Sequence, residues 1–166
     1  MTDATLTAGD GTGYTRWQKR LHWAVVILLA LQYFVFDAMG RLFHTLMDTG
    51  TAPWTTTSIA HLLIGIAVLA MALARLGLRA RHGAPAAPAE EPAPLRTASK
   101  LAHWSIYALL LLIPVSGLVA WFGQAGTAAE AHEVLTSVLM WLVVLHLAAV
   151  AVHQFWWKTD LIRRMA

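Results

Sequence analysis

The chain has 166 residues, 58% of them hydrophobic and 13% charged, with a net charge of +3 and no cysteine. Soluble domains run near a quarter charged, so this composition excludes a soluble enzyme and a disordered chain. The missing thiols exclude a disulfide scaffold, a Cys-based zinc site and an iron–sulfur cluster.

Residues 1–13 are small, polar and slightly acidic, without the basic start and apolar core of a cleavable signal peptide. They read as a disordered tail ahead of a single membrane domain over 14–166. Residues 21–36, 55–74, 101–129 and 134–157 contain no Asp, Glu, Lys or Arg. A membrane-crossing helix takes roughly 20 apolar residues. The expectation is an all-α integral membrane four-helix bundle with spans at about 20–37, 56–78, 101–122 and 132–157. Between spans 1 and 2, the stretch RLFHTLM reads as an amphipathic turn or two in the interface. The 2–3 connection, with PAAPAEEPAP, has linker composition. Span 3 carries an interior Pro114, which neighbouring helices must accommodate. GQAGTAAEA reads as a short loop before span 4.

Eleven of the twelve Lys and Arg residues flank one end of these spans, and Arg41 alone lies at the other. Cytoplasmic loops collect Lys and Arg, so both termini are expected in the cytoplasm. Trp17, Trp23, Trp104, Trp156 and Trp157 fall at that inner boundary, and Trp54 and Trp121 at the outer. Basic charge placed this way serves topology and does not point to nucleic acid.

Eight histidines are many for so apolar a chain. His44 and His82 fall in loops and read as solvated. His22, His61, His103, His132, His146 and His153 lie in or at the ends of spans, where an ionisable side chain is costly and turns to the bundle interior. Depth sorts them. His61 precedes Arg75, at the inner end of span 2, by fourteen residues, so it lies in the outer half with His132. His22 stands at the inner end with His146; this pairing requires span 4 to tilt or to extend into the cytoplasm. Two imidazoles facing across a bundle can hold an iron porphyrin, and two such layers make a two-step electron path. Gly65, one turn from His61, Gly117, and Ala148, Ala149 and Ala151 are small residues that would leave room for a macrocycle. His103 and His153 read as further ligands, propionate partners, part of a quinone pocket, or interfacial histidines bonded to backbone. Arg75 and Lys100 read as propionate partners or as topology anchors.

The segments YTRWQKRLHW, IAHLLIG with Arg75-Leu76, LAHWSIYALLLLIPVSGLV and HEVLTSVLMWLVVLHLAAVAVHQFWWKTDLIRRM together resemble the bacterial cytochrome b561 family over about residues 14–164. The resemblance implies a multi-pass protein of the bacterial inner membrane with two haem b groups, His22 and His146 on the inner one and His61 and His132 on the outer. It implies electron transfer linked to the quinone pool, with superoxide oxidised at the periplasmic face and ubiquinone reduced near His153. The alternative it leaves is a cytochrome b relay subunit of a larger dehydrogenase or hydrogenase. No catalytic residue is assigned, and no protein partner is required.

Overall fold

The computed structural model describes residues 13–35, 38–86, 92–159 and 161–165. All of the expected tail but Gly13 lies outside these residues, as do Asp37 and the middle of the proline-rich linker.

Helix α1 is Arg16–Phe34, opened by a capping box in which Gln18 N–H donates to Thr15 Oγ1 and Thr15 N–H donates to Gln18 Oε1. Helix α2 is Met39–Thr49, closed at Gly50 by a left-handed φ of 67°. Its sequence RLFHTLM is a full amphipathic helix: Leu46 is buried against the bundle while Arg41, His44 and Thr45 face out. Helix α3, Thr56–His82, starts from a second capping box, Thr55 with Ser58, and ends in Arg79, Arg81 and His82, cations that suit the negative end of the helix dipole. Helix α4, Ala93–Gly123, begins straight after Pro92. At 31 residues it rises about 46 Å, so it projects well beyond a hydrocarbon layer of roughly 30 Å. Helix α5 is Gly126–Ala151 and continues as a π turn over Val152–Trp156, followed by the short α6, Leu161–Met165.

Two expectations change. The stretch read as a nine-residue loop shrinks to Gln124-Ala125, because the alanines after Gly126 are strong helix formers and extend α5 backwards. The 2–3 connection is also shorter than its composition suggested, since α3 and α4 both run on past their apolar parts.

Helices α3, α4 and α5 with its π turn are each long and apolar enough to cross a membrane, and α1 with α2 makes a fourth crossing when that pair is counted as one. Helix α1 packs on α3, α3 on α4, and α4 on α5. The buried core is Val25, Val68, Ala72, Leu109, Leu110 and Leu139. The small Ala72 lets neighbouring backbones approach, as membrane helix contacts require. Large side chains such as Leu63, Leu101, Trp141 and Leu147 point outward, which in a bilayer costs nothing because lipid tails are as apolar as leucine.

Side chains tie together elements distant in sequence. Tyr33 OH donates to the Thr136 carbonyl at 2.6 Å at one end. At the basic end Gln18 Nε2 donates to Gly83 O, Trp23 Nε1 to Met165 O and Arg164 Nη1 to Ala86 O. An interhelical hydrogen bond in a membrane is worth about 0.6 kcal/mol. Tyr33→Phe should therefore lower stability by about that amount, read as a shift in the denaturation midpoint of the reconstituted protein.

Candidate functional site

The structure brings His61 of α3 and His132 of α5 together, ring centroids 6.2 Å apart and planes inclined by 59°. His132 Nδ1 lies 2.8 Å from the Ile113 carbonyl of α4. A carbonyl only accepts, so Nδ1 carries the proton and Nε2 keeps its lone pair. Ser116 Oγ donates to the same carbonyl at 2.9 Å. The ring reaches that carbonyl because residue 117 is glycine: a Cβ there would stand 2.9 Å from both Cε1 and Nδ1 of His132. Pro114, buried just after Ile113, removes the N–H that would have closed the helical bond to Leu110.

Helix α1 steadies both halves of this couple with consecutive residues. Gln32 Nε2 donates to the His61 carbonyl at 3.0 Å. Tyr33 holds the carbonyl of Thr136, one turn beyond His132. Neither Gln32 nor Tyr33 stood out by spacing; the available signal was a polar pair inside an otherwise apolar span. Gly65 makes no comparable close approach, since a Cβ there would meet Gln32 Nε2 at an ordinary 3.9 Å. Ala148, Ala149 and Ala151 are exposed, and of the three only Ala149, about 60° from His146, shares its face. Ala148 and Ala151 stand about 200° and about 140° round the helix from the inward-facing His146. Trp121, expected at the outer boundary, is buried and packs edge-on against Trp54 at 5.9 Å.

At the basic end, three imidazoles gather. His146 of α5 meets His103 of α4 edge-on, centroids 5.6 Å apart. His22 of α1 has Arg75, His146 and His103 as its charged or titratable neighbours. His103 Nδ1 lies 2.7 Å from Ser99 O, which assigns its proton by the same rule. Depth alone joined His146 to His22; the ring in contact with His146 is that of His103. Arg75 Nη1 donates to Gln18 O, tying α3 to the start of α1. Lys100 is exposed. His44 is exposed on α2, and His82 is exposed with Nδ1 bonded to the Leu78 carbonyl one turn back.

His153 sits in the π turn and is buried. Its Nδ1 lies 3.1 Å from Thr159 Oγ1, whose own hydroxyl donates to the His153 carbonyl. Trp157 packs edge-on against the ring at 4.6 Å. A π turn inside an α-helix frequently marks a functional position.

The His61–His132 donor set fits an iron porphyrin. Two imidazoles on opposite sides of one ion, with metal–nitrogen distances of about 2 Å and ring radii of about 1 Å, have centroids about 6 Å apart. A structural zinc ion takes four protein ligands, whereas a haem iron would need only these two histidines from the protein. The second ring nitrogen of His132 already donates to a carbonyl, the arrangement that fixes ring orientation and raises ligand basicity.

Residues 13–166 match the family model described as prokaryotic cytochrome b561. The chain is 31% identical over 153 residues to cytochrome b562 of Cereibacter sphaeroides, covering 92% of this chain and 94% of that one. It is 22% identical over 174 residues to the probable superoxide oxidase CybB of Yersinia pestis, covering 92% of this chain and 94% of that one.

Gly117→Ala tests the close approach. The added methyl overlaps the His132 ring, and overpacking of this kind costs about 1–3 kcal/mol. The variant should unfold earlier than wild type, while Gly65→Ala, with ordinary clearance, should not.

Proposed function

The chain belongs to the prokaryotic cytochrome b561 family, and from that premise we propose a di-haem b carrier that oxidises superoxide at the periplasmic face and reduces ubiquinone near the cytoplasmic face of the bacterial inner membrane. Membrane electron transfer is the family's activity; the two substrates, the direction and the placing of both termini in the cytoplasm are our reading. The one observation that carries it is the His61–His132 couple with the His132 proton held on Ile113 O.

His61 and His132 would hold the outer haem, and His22 and His146 the inner. Haem, when bound, supplies a reversible one-electron carrier whose potential the protein tunes through axial ligands, hydrogen bonds and burial. The residues do the rest. Ile113 O and Gly117 fix the His132 ring, and Gln32 bonds the helix carbonyl of His61. Arg75, beside His22, would meet a propionate with a charge-assisted hydrogen bond; Lys100, exposed on α4, has the same role in this reading. His103, against the edge of His146, stays a second-rank member of the inner site.

Quinone reduction consumes protons as well as electrons. His153 is the proton donor in this scheme, because imidazole exchanges protons near neutral pH and Thr159 and Trp157 fix its ring. A relative named as a probable superoxide oxidase supports the choice of electron donor.

His61→Ala and His132→Ala should each lower the haem content from two per chain to one by pyridine haemochromogen assay; loss of both haems from either change contradicts the pairing. Mixing the purified protein with superoxide, and separately with ubiquinol, in a stopped-flow instrument should show rapid haem reduction by superoxide. His153→Ala should keep both haems and slow ubiquinone reduction about a hundredfold, the usual weight of a positioned proton donor. Unchanged turnover would remove His153 from the scheme.

A further inference from the structure

Arg75 and Arg79 lie one turn apart on α3 at the basic end of the bundle. Both guanidinium groups stand over the face of Tyr107, each with Cζ 5.9 Å from the ring centroid, and Arg79 also stands 5.5 Å from the ring of Trp104. With Tyr14, Gln18 and Met165 they line a shallow cavity between α1, α3, α4 and the C-terminal helix. Stacking occupies the face of a guanidinium and leaves its N–H edge available. Arg75 commits one donor to Gln18 O. Among the described residues, Arg79 meets two aromatic rings and no carboxylate.

We propose that Arg79, with Arg75 and the Trp104–Tyr107 aromatic pair, forms a binding site for the phosphate of an anionic phospholipid. Two like charges one turn apart repel, and an oxyanion between their edges relieves that repulsion. Bidentate recognition of phosphate is what the planar fork does best. The aromatic platform says why the ligand is a lipid. Trp104 is half-exposed on the outer surface of α4, and Leu112, about two turns further from the basic end, lies on that same exposed face, so an acyl chain has an apolar track leading away from the phosphate. Basic pockets between membrane helices at the cytoplasmic side bind anionic headgroups by this chemistry. A haem propionate is an oxyanion too, and Arg75 is its partner in the reading above; Arg79 stands about 6 Å further along the helix, toward the membrane surface.

The test is native mass spectrometry of the full chain with haem bound, offered equal amounts of phosphatidylglycerol and phosphatidylcholine with identical acyl chains. The wild type should retain phosphatidylglycerol in clear preference. Arg79→Gln should cut that preference about fivefold, the equivalent of one cation in the headgroup layer, with the haem spectrum unchanged. Arg81→Gln, which removes the same charge outside the cavity, should keep it. Millimolar inorganic phosphate should not displace the bound lipid. Should Arg79→Gln not fold, Tyr107→Leu takes its place with the same expected loss. The proposal is overturned if the wild type shows no preference, if Arg81→Gln loses as much as Arg79→Gln, or if phosphate alone displaces the lipid. A changed haem spectrum in Arg79→Gln with lipid retention intact assigns the arginine to the propionate instead.

Discussion

A single hydrogen bond, from His132 Nδ1 to the carbonyl of Ile113, governs the geometry of the half of this protein away from the basic end. It joins α5 to α4, puts the imidazole proton on Nδ1 and holds the ring beside that of His61, centroids 6.2 Å apart. It exists only because Gly117 presents no side chain between ring and backbone. The helices α4 and α5 are joined by two residues, Gln124 and Ala125, so the bond is made within a tight antiparallel hairpin, where little chain entropy opposes it. Helix α1 then secures the other side through Gln32 and Tyr33. These three bonds order the layer with the chain's own groups, and pre-ordered groups lower the cost of binding a ligand.

The basic end is built differently. Three imidazoles and an arginine share one level, and their positions rest on the start of α1, the extended α4 and the last turns of α5. Rigidity there comes from stacking and backbone bonds: Arg75 on Gln18 O, Arg79 on Trp104 and Tyr107, and His153 on Thr159. Polar groups in the headgroup region stay near water, so their hydrogen bonds cost less to leave and re-form than those at the bilayer centre.

Much of this was legible in the residues. Charge-free runs mark the apolar helices, since a charge in hydrocarbon is expensive, and depth counting puts His61 and His132 at one level. Three things were not legible. Helix ends outside the bilayer carry ordinary charged residues, so the charge-free run stops before the helix does, as at Arg79–His82 and Ala93–Lys100. Rotation about the axis decides which side chains meet, and depth says nothing of it, so the edge-on contact of His103 with His146 could not be foreseen. The π turn at Val152–Trp156 depends on tertiary contacts of His153, Trp157 and Thr159, with no local composition to announce it. Among the small residues, Gly117 and Gly65 look alike in sequence and differ in what faces them.

The staple of Trp23 onto the Met165 carbonyl, seconded by Arg164 on Ala86, bears on how the molecule is handled. An affinity handle fused behind residue 166 would pull directly on the strand of chain that roofs the arginine cavity. A handle placed ahead of Thr15 would lead directly into Tyr14, which lines the same cavity, so a tether at either end bears on the arginine site.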